Sequence, residues 1–91
     1  MIRSRFAALT AGARYREVAM ALADDLGGQD KLAEPAKILV RQAAALAVQV
    51  EALQSKIVSG EEVDTEQLVR LSNVLGRTLQ RLGIKEAGPT A

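Results

Sequence analysis

An apolar seam with strict spacing constrains this chain more than any other feature. Leu32, Ala36, Leu39, Ala43, Leu46, Val50, Leu53 and Ile57 follow one another in alternating steps of four and three residues. That is a heptad pattern sustained for nearly four repeats, and only a helix brings all of these positions to one side. Pro35 fits a helix only in its first turn, where its missing N–H would have had no partner, so the spacing predicts a long helix over about residues 34–59. Val40, Ala47 and Val58 widen the seam, while Ile38, Ala45 and Ala52 fall on the opposite face with Val48 nearby. A helix that is apolar on both sides needs cover on both sides, from its own chain or from another subunit.

Two further helices are predicted, and β signals are scarce, with no alternating β-branched or aromatic runs. Tyr15, Val18, Ala19, Leu22 and Leu26 recur at helical spacing, which gives a helix over about 13–26 that ends at the Gly27–Gly28 pair. Residues 1–12 lack a stripe and contain Gly12, so they are expected to be a flexible basic arm. Asp64 followed by Gln67 has the pattern of a capping box, and Val63 and Leu68 form the matching hydrophobic staple. A helix over about 65–82 follows, with Leu68, Leu71, Leu75, Leu79 and Leu82 on one face. Gly83 is its expected C-terminal glycine, with Ile84 turning back onto Leu79. Residues 85–91 are expected to be a disordered tail. The link from Gly60 to Asp64 is so short that the second and third helices must be antiparallel neighbours. The expectation is therefore an all-α single domain over residues 13–84, with three helices and a long central one paired with the C-terminal one.

The magnitudes favour association. A chain of 91 residues buries only about 60–65% of its unfolded surface. Here the apolar content is 16 Ala, 12 Leu, 8 Val and 4 Ile, with one Phe, one Tyr and no Trp, so the large buried area that aromatics supply is missing. An oligomeric bundle around the long helix follows, with Leu39, Ala43, Leu46, Ala47, Val50, Leu53 and Ile57 as the expected subunit interface.

Composition also narrows the chemistry. The chain has no Cys and no His, which removes disulfides, Cys- or His-based zinc sites, thiol nucleophiles and the commonest general base. The adjacent pairs Asp24–Asp25 and Glu61–Glu62 would point about 100° apart on a helix, so they make poor catalytic or metal pairs. No GxGxxG or GxxxxGK[ST] loop is present. A non-enzymatic protein without cofactor or metal is expected. No signal peptide is legible, and the longest uncharged run, Gln42 to Val50, is far shorter than the roughly 18 residues of a membrane span. A cytoplasmic protein with no membrane contact is the corresponding expectation.

Lys plus Arg is 12 and Asp plus Glu is 11, so net charge selects no partner. The charges nevertheless fall in blocks. Arg3, Arg5, Arg14 and Arg16 stand in residues 1–16 with no acid among them, and Glu61, Glu62, Asp64 and Glu66 surround the hairpin turn. The four arginines are the candidate DNA contacts, through phosphate neutralisation. Arg70, Arg77 and Arg81 line the side of the third helix opposite its leucines, where a solvated face is the simpler reading. No helix-turn-helix can be placed before the long helix, so direct sequence reading of DNA has little support.

The segments LADDLGG (Leu22–Gly28), LVRQAAALAVQVEAL (Leu39–Leu53) and EEVDTEQLVRLSNVLGRTLQRLGI (Glu61–Ile84) resemble a group of small proteins of phages and prophages of alphaproteobacteria. Many of these are encoded beside DNA-packaging genes, which suggests similarity to the terminase small subunit. The resemblance implies a non-enzymatic, ring-forming helical protein that binds viral double-stranded DNA and the terminase large subunit. The alternative from the residues is a helical protein–protein adaptor or structural module with no DNA binding.

Overall fold

The computed structural model describes the backbone of residues 2–84 and the side chains of residues 10–84. Three helices make up the fold: α1 (Ile2–Asp25), α2 (Glu34–Val58) and α3 (Thr65–Arg81), with a 3-10 turn over Gln29–Lys31 between the first two. No strand occurs among the described residues. The protein is all-α.

Local chemistry explains each boundary. All three helices end in the same hydrogen-bond pattern, in which the second residue past the helix cap reaches back to the third-last carbonyl. The Gly28 N–H donates to the Ala23 carbonyl at 2.8 Å, that of Glu61 to Lys56 at 2.9 Å and that of Ile84 to Leu79 at 3.0 Å. This Schellman geometry needs a left-handed residue just after the cap, and Gly27, Gly60 and Gly83 supply it with φ of 104°, 83° and 79°. At the start of α3, Asp64 Oδ1 accepts from the backbone N–H groups of Glu66 and Gln67 at 3.0 and 3.3 Å. That satisfies two donors which would otherwise have no partner in the helix. The expected ends at residues 26, 59 and 82 each lie one residue late, because Leu26, Ser59 and Leu82 are the caps.

One boundary differs by much more. The expected flexible arm over residues 1–12 is corrected: the backbone is helical from Ile2 onward, continuous with the rest of α1. Gly12 inside a helix costs about 1 kcal/mol relative to alanine. Ala7, Ala8, Ala11 and Ala13 around it are strong helix formers, and local propensity carries the helix where no apolar stripe announces it. The predicted tail over residues 85–91 lies outside the described residues.

Helix α2 is the shared element. Both α1 and α3 pack on it, rather than extensively on each other. Leu75, Leu79 and Leu82 near the end of α3 meet Val40 and Ala43 in the first half of α2, so this pair is antiparallel. Ala19, Leu22 and Leu26 of α1 reach the same cluster, with Leu32, Ala36, Leu39 and Ile84 closing it. The core thus lies at one end of the molecule, where the end of α1, the start of α2 and the end of α3 converge. It is thin: Ala43 and Ala44 are 0% exposed, whereas no large side chain among the described residues is fully buried. Thr78 is buried too, and its hydroxyl donates to the Val74 carbonyl one turn earlier at 2.8 Å, so its polar group is satisfied. No helix among the described residues is long and apolar enough to cross a membrane.

The Asp64 cap offers a direct check on this local account. Asp64→Ala should lower unfolding free energy by about 1 kcal/mol, read from urea denaturation, with Asp64→Asn or Asp64→Ser retaining most of the stability. An alanine variant as stable as the parent would contradict the cap's role.

Candidate functional site

The heptad seam turns inward. Ala43 and Val50 are buried within their own chain, and Leu39 packs against the core, with Leu46, Ala47 and Leu53 half-buried. The assignment of these positions to a subunit interface is therefore corrected for Leu39, Ala43 and Val50. Periodicity identifies residues that share a face but not what covers it, and here α1 and α3 cover it. Only Ile57, at the far end of the seam, stays open at 45% exposed.

The opposite face of α2 is the one left uncovered. Ile38 is 45% exposed, and Ala45 and Ala52 are also exposed, in line with Arg41, Gln42 and Gln49. Beside this face lies a groove of about 260 Å³ between α1, the 3-10 turn and the start of α2. Tyr15, Ala19 and Ala23 of α1 form one wall, and Leu32 and Val40 form the other. Arg16, Met20, Gln29, Lys37 and Arg41 stand along its mouth. Three of its lining residues are cationic and none is acidic. Lys37 has a loose partner in Glu34 at 3.7 Å, but among the described residues Arg16 and Arg41 have no ion pair. Met20 stands 65% exposed at the edge. Tyr15, which shares the helical spacing of Ala19 and Leu22, is half-buried and lines this groove.

The four arginines offered as DNA contacts are not equivalent. Arg16 is exposed at the groove mouth. Arg14 is engaged within the chain: its Nη2 and Nε meet the two carboxylate oxygens of Glu51 at 2.8 and 3.0 Å, and its Nη1 meets Glu17 at 2.9 Å. The forked contact ties α1 to α2 across 37 residues of sequence. Arg14 is therefore corrected from a free phosphate contact to a structural clamp. The side chains of Arg3 and Arg5 lie outside the described residues. Arg70, Arg77 and Arg81 are all exposed on α3.

Protonation follows from this clamp. The hydrogen bonds from Arg14 hold Glu51 below its ordinary value of 4.5, against a smaller opposing effect of burial. The hydrogen bonds to Glu51 and then Glu17 push the Arg14 guanidinium up. A carboxylate depressed by folding adds stability that is present above its unfolded pKa and lost as pH falls through its folded one. A raised arginine adds stability that is fully present below its unfolded pKa and is lost as pH rises through its folded one, so it adds no pH dependence at neutral or acidic pH. Among the described residues, no three acidic side chains gather closely enough to hold a metal ion.

The pair accordingly predicts a pH signature. Glu51→Gln should lower the urea midpoint at pH 7, and the gap to the parent should close as pH falls below about 4.5. Because both side chains are substantially exposed, the difference is expected to be small and to shrink in high salt. A gap that stays constant from pH 7 to pH 3 would show that Glu51 acts through packing instead. Compared with family models, with curated proteins and with solved structures, the chain matches none.

Proposed function

We propose that this chain is a non-enzymatic helical assembly protein of the kind represented by a phage terminase small subunit. In that role it associates with copies of itself in the cytoplasm, contacts duplex DNA through exposed arginines, and presents that DNA to a large packaging subunit. The observation that carries the reading is the one-sided cover of α2. Its seam is occupied by α1 and α3, while Ile38, Ala45 and Ala52 remain open beside Arg16 and Arg41, which have no ion pair among the described residues. A surface of that kind is suited to binding. The chain contains neither His nor Cys, so the commonest general base and the thiol nucleophile are missing. The phage resemblance of the LADDLGG, LVRQAAALAVQVEAL and closing LGI segments supplies the packaging context.

A second reading is favoured by a specific contact. The hold of Glu51 and Glu17 on Arg14 removes one of four cations from any phosphate track. A helical adaptor that binds another protein and no DNA would be served by the same open face and groove.

Salt dependence separates the two. With Arg14 held by Glu51 and Glu17, Arg3, Arg5 and Arg16 remain in the dissociated chain, and below the concentration of self-association the log–log slope of duplex affinity against salt should be about −2.7. Replacing those three by alanine should flatten it, whereas Arg14→Ala should leave it nearly unchanged. Absence of duplex binding at low salt would leave the adaptor reading in place.

A further inference from the structure

The groove beside α2 has a complement elsewhere on the same molecule. At the far end of α2, Val58 is 88% exposed and Ile57 is 45% exposed, the former the most exposed large apolar side chain described. The chain then turns through Glu61 and Glu62, both exposed and without an ion pair among the described residues. The hairpin tip is therefore an aliphatic knob edged with negative charge. Lys56 adjoins it, but with Asp64 and Glu66 following, the balance of the tip stays acidic. The groove has the reverse character, with apolar walls edged by Arg16, Lys37 and Arg41 and no lining acid.

These two features cannot meet within one chain. Lys37 and Val58 stand 21 residues apart on one continuous helix, which at 1.5 Å per residue separates them by ~30 Å along a rigid rod. We infer that the acidic hairpin tip of one copy docks in the basic groove of the next, with Val58 and Ile57 against the apolar walls and Glu61 and Glu62 facing Arg16 and Arg41. The occupant is a second copy of this chain, and the inference rests on the assembly part of the proposed function. A groove of about 260 Å³ falls just below the roughly 300–1,000 Å³ of small-molecule pockets. It suits a pair of aliphatic side chains better than a metabolite.

The consequence is a particular symmetry. Tip and groove are different surfaces, so the contact is head-to-tail, and each copy keeps one free tip and one free groove until the series closes. Such contacts build rings when the rotation closes and filaments when it does not. An isologous pairing through the open face of α2 would stop at a dimer.

A charge-swap experiment on the full chain decides the matter. The tip variant carries Glu61→Lys with Glu62→Lys, and the groove variant carries Arg16→Glu with Arg41→Glu. All four positions are exposed, so helix content by far-UV circular dichroism should match the parent. Light scattering of the parent should give a mass well above 9.7 kDa. Each variant alone should associate at least about tenfold more weakly, because like charges face each other. Mixing the two in equal amounts should restore association to a mass well above 9.7 kDa, since the variants then alternate and each reversed surface meets its opposite in the other chain. Val58→Ser should weaken association without any charge change. A parent that assembles while both variants assemble equally well would overturn the tip-in-groove contact and leave the assembly reading standing, as would weakened variants that fail to recover on mixing. A parent that stays at 9.7 kDa at tens of micromolar would overturn both.

Discussion

The close approach of two helices to the alanine-lined middle of α2 is the constraint on which the rest depends. Ala43 and Ala44 are the only described residues with no exposure at all, and their small side chains let neighbouring backbones come near. Larger residues at these points would push the neighbouring helices away and open the contacts of Val40 and Leu82. Alanine gains little from burial itself, since the hydrophobic effect scales with apolar area. It instead permits Leu22, Leu26, Leu75 and Leu79 to reach a common cluster. The core is compact at one end, and most of the remaining length of α2 relies on half-buried aliphatics.

That asymmetry shapes the surface. Because α1 and α3 both lie on the seam side, the described residues hold no further helix for the other side of α2. The open face is therefore a consequence of having three helices around an element that is apolar on both sides. The polar groups follow a similar division. Arg14 serves to join α1 to α2, whereas Arg16, two residues on along the same helix, faces outward at the groove. Residues two apart on a helix point about 200° around its axis from each other, and that rotation separates a structural cation from an available one.

Much of the fold was legible because its signals are local. Glycine just past each helix, Asp64 before α3 and the leucine spacing of α3 act within a few residues, and the structure follows them closely. The start of α1 was illegible for the opposite reason: residues 2–12 have no apolar stripe, and Gly12 reads as a break although the surrounding alanines sustain the helix. The site was harder still. The clamp between Arg14 and Glu51 joins residues far apart in sequence, and nothing in either local segment marks it. The groove needs three segments to come together, and only the clustering of basic residues hinted at its character. The seam of α2 was visible as a pattern, but the same pattern fits cover by a partner or by the chain's own helices.

Amide hydrogen exchange, measured at several protein concentrations, tests most directly whether the α2 core belongs to one chain. Cover by α1 and α3 predicts that the slowest amides lie between Val40 and Val50, with protection there unchanged on dilution. Protection over Val40–Val50 that falls away as the protein is diluted would mean that a second copy supplies the cover, and the one-chain core would be wrong.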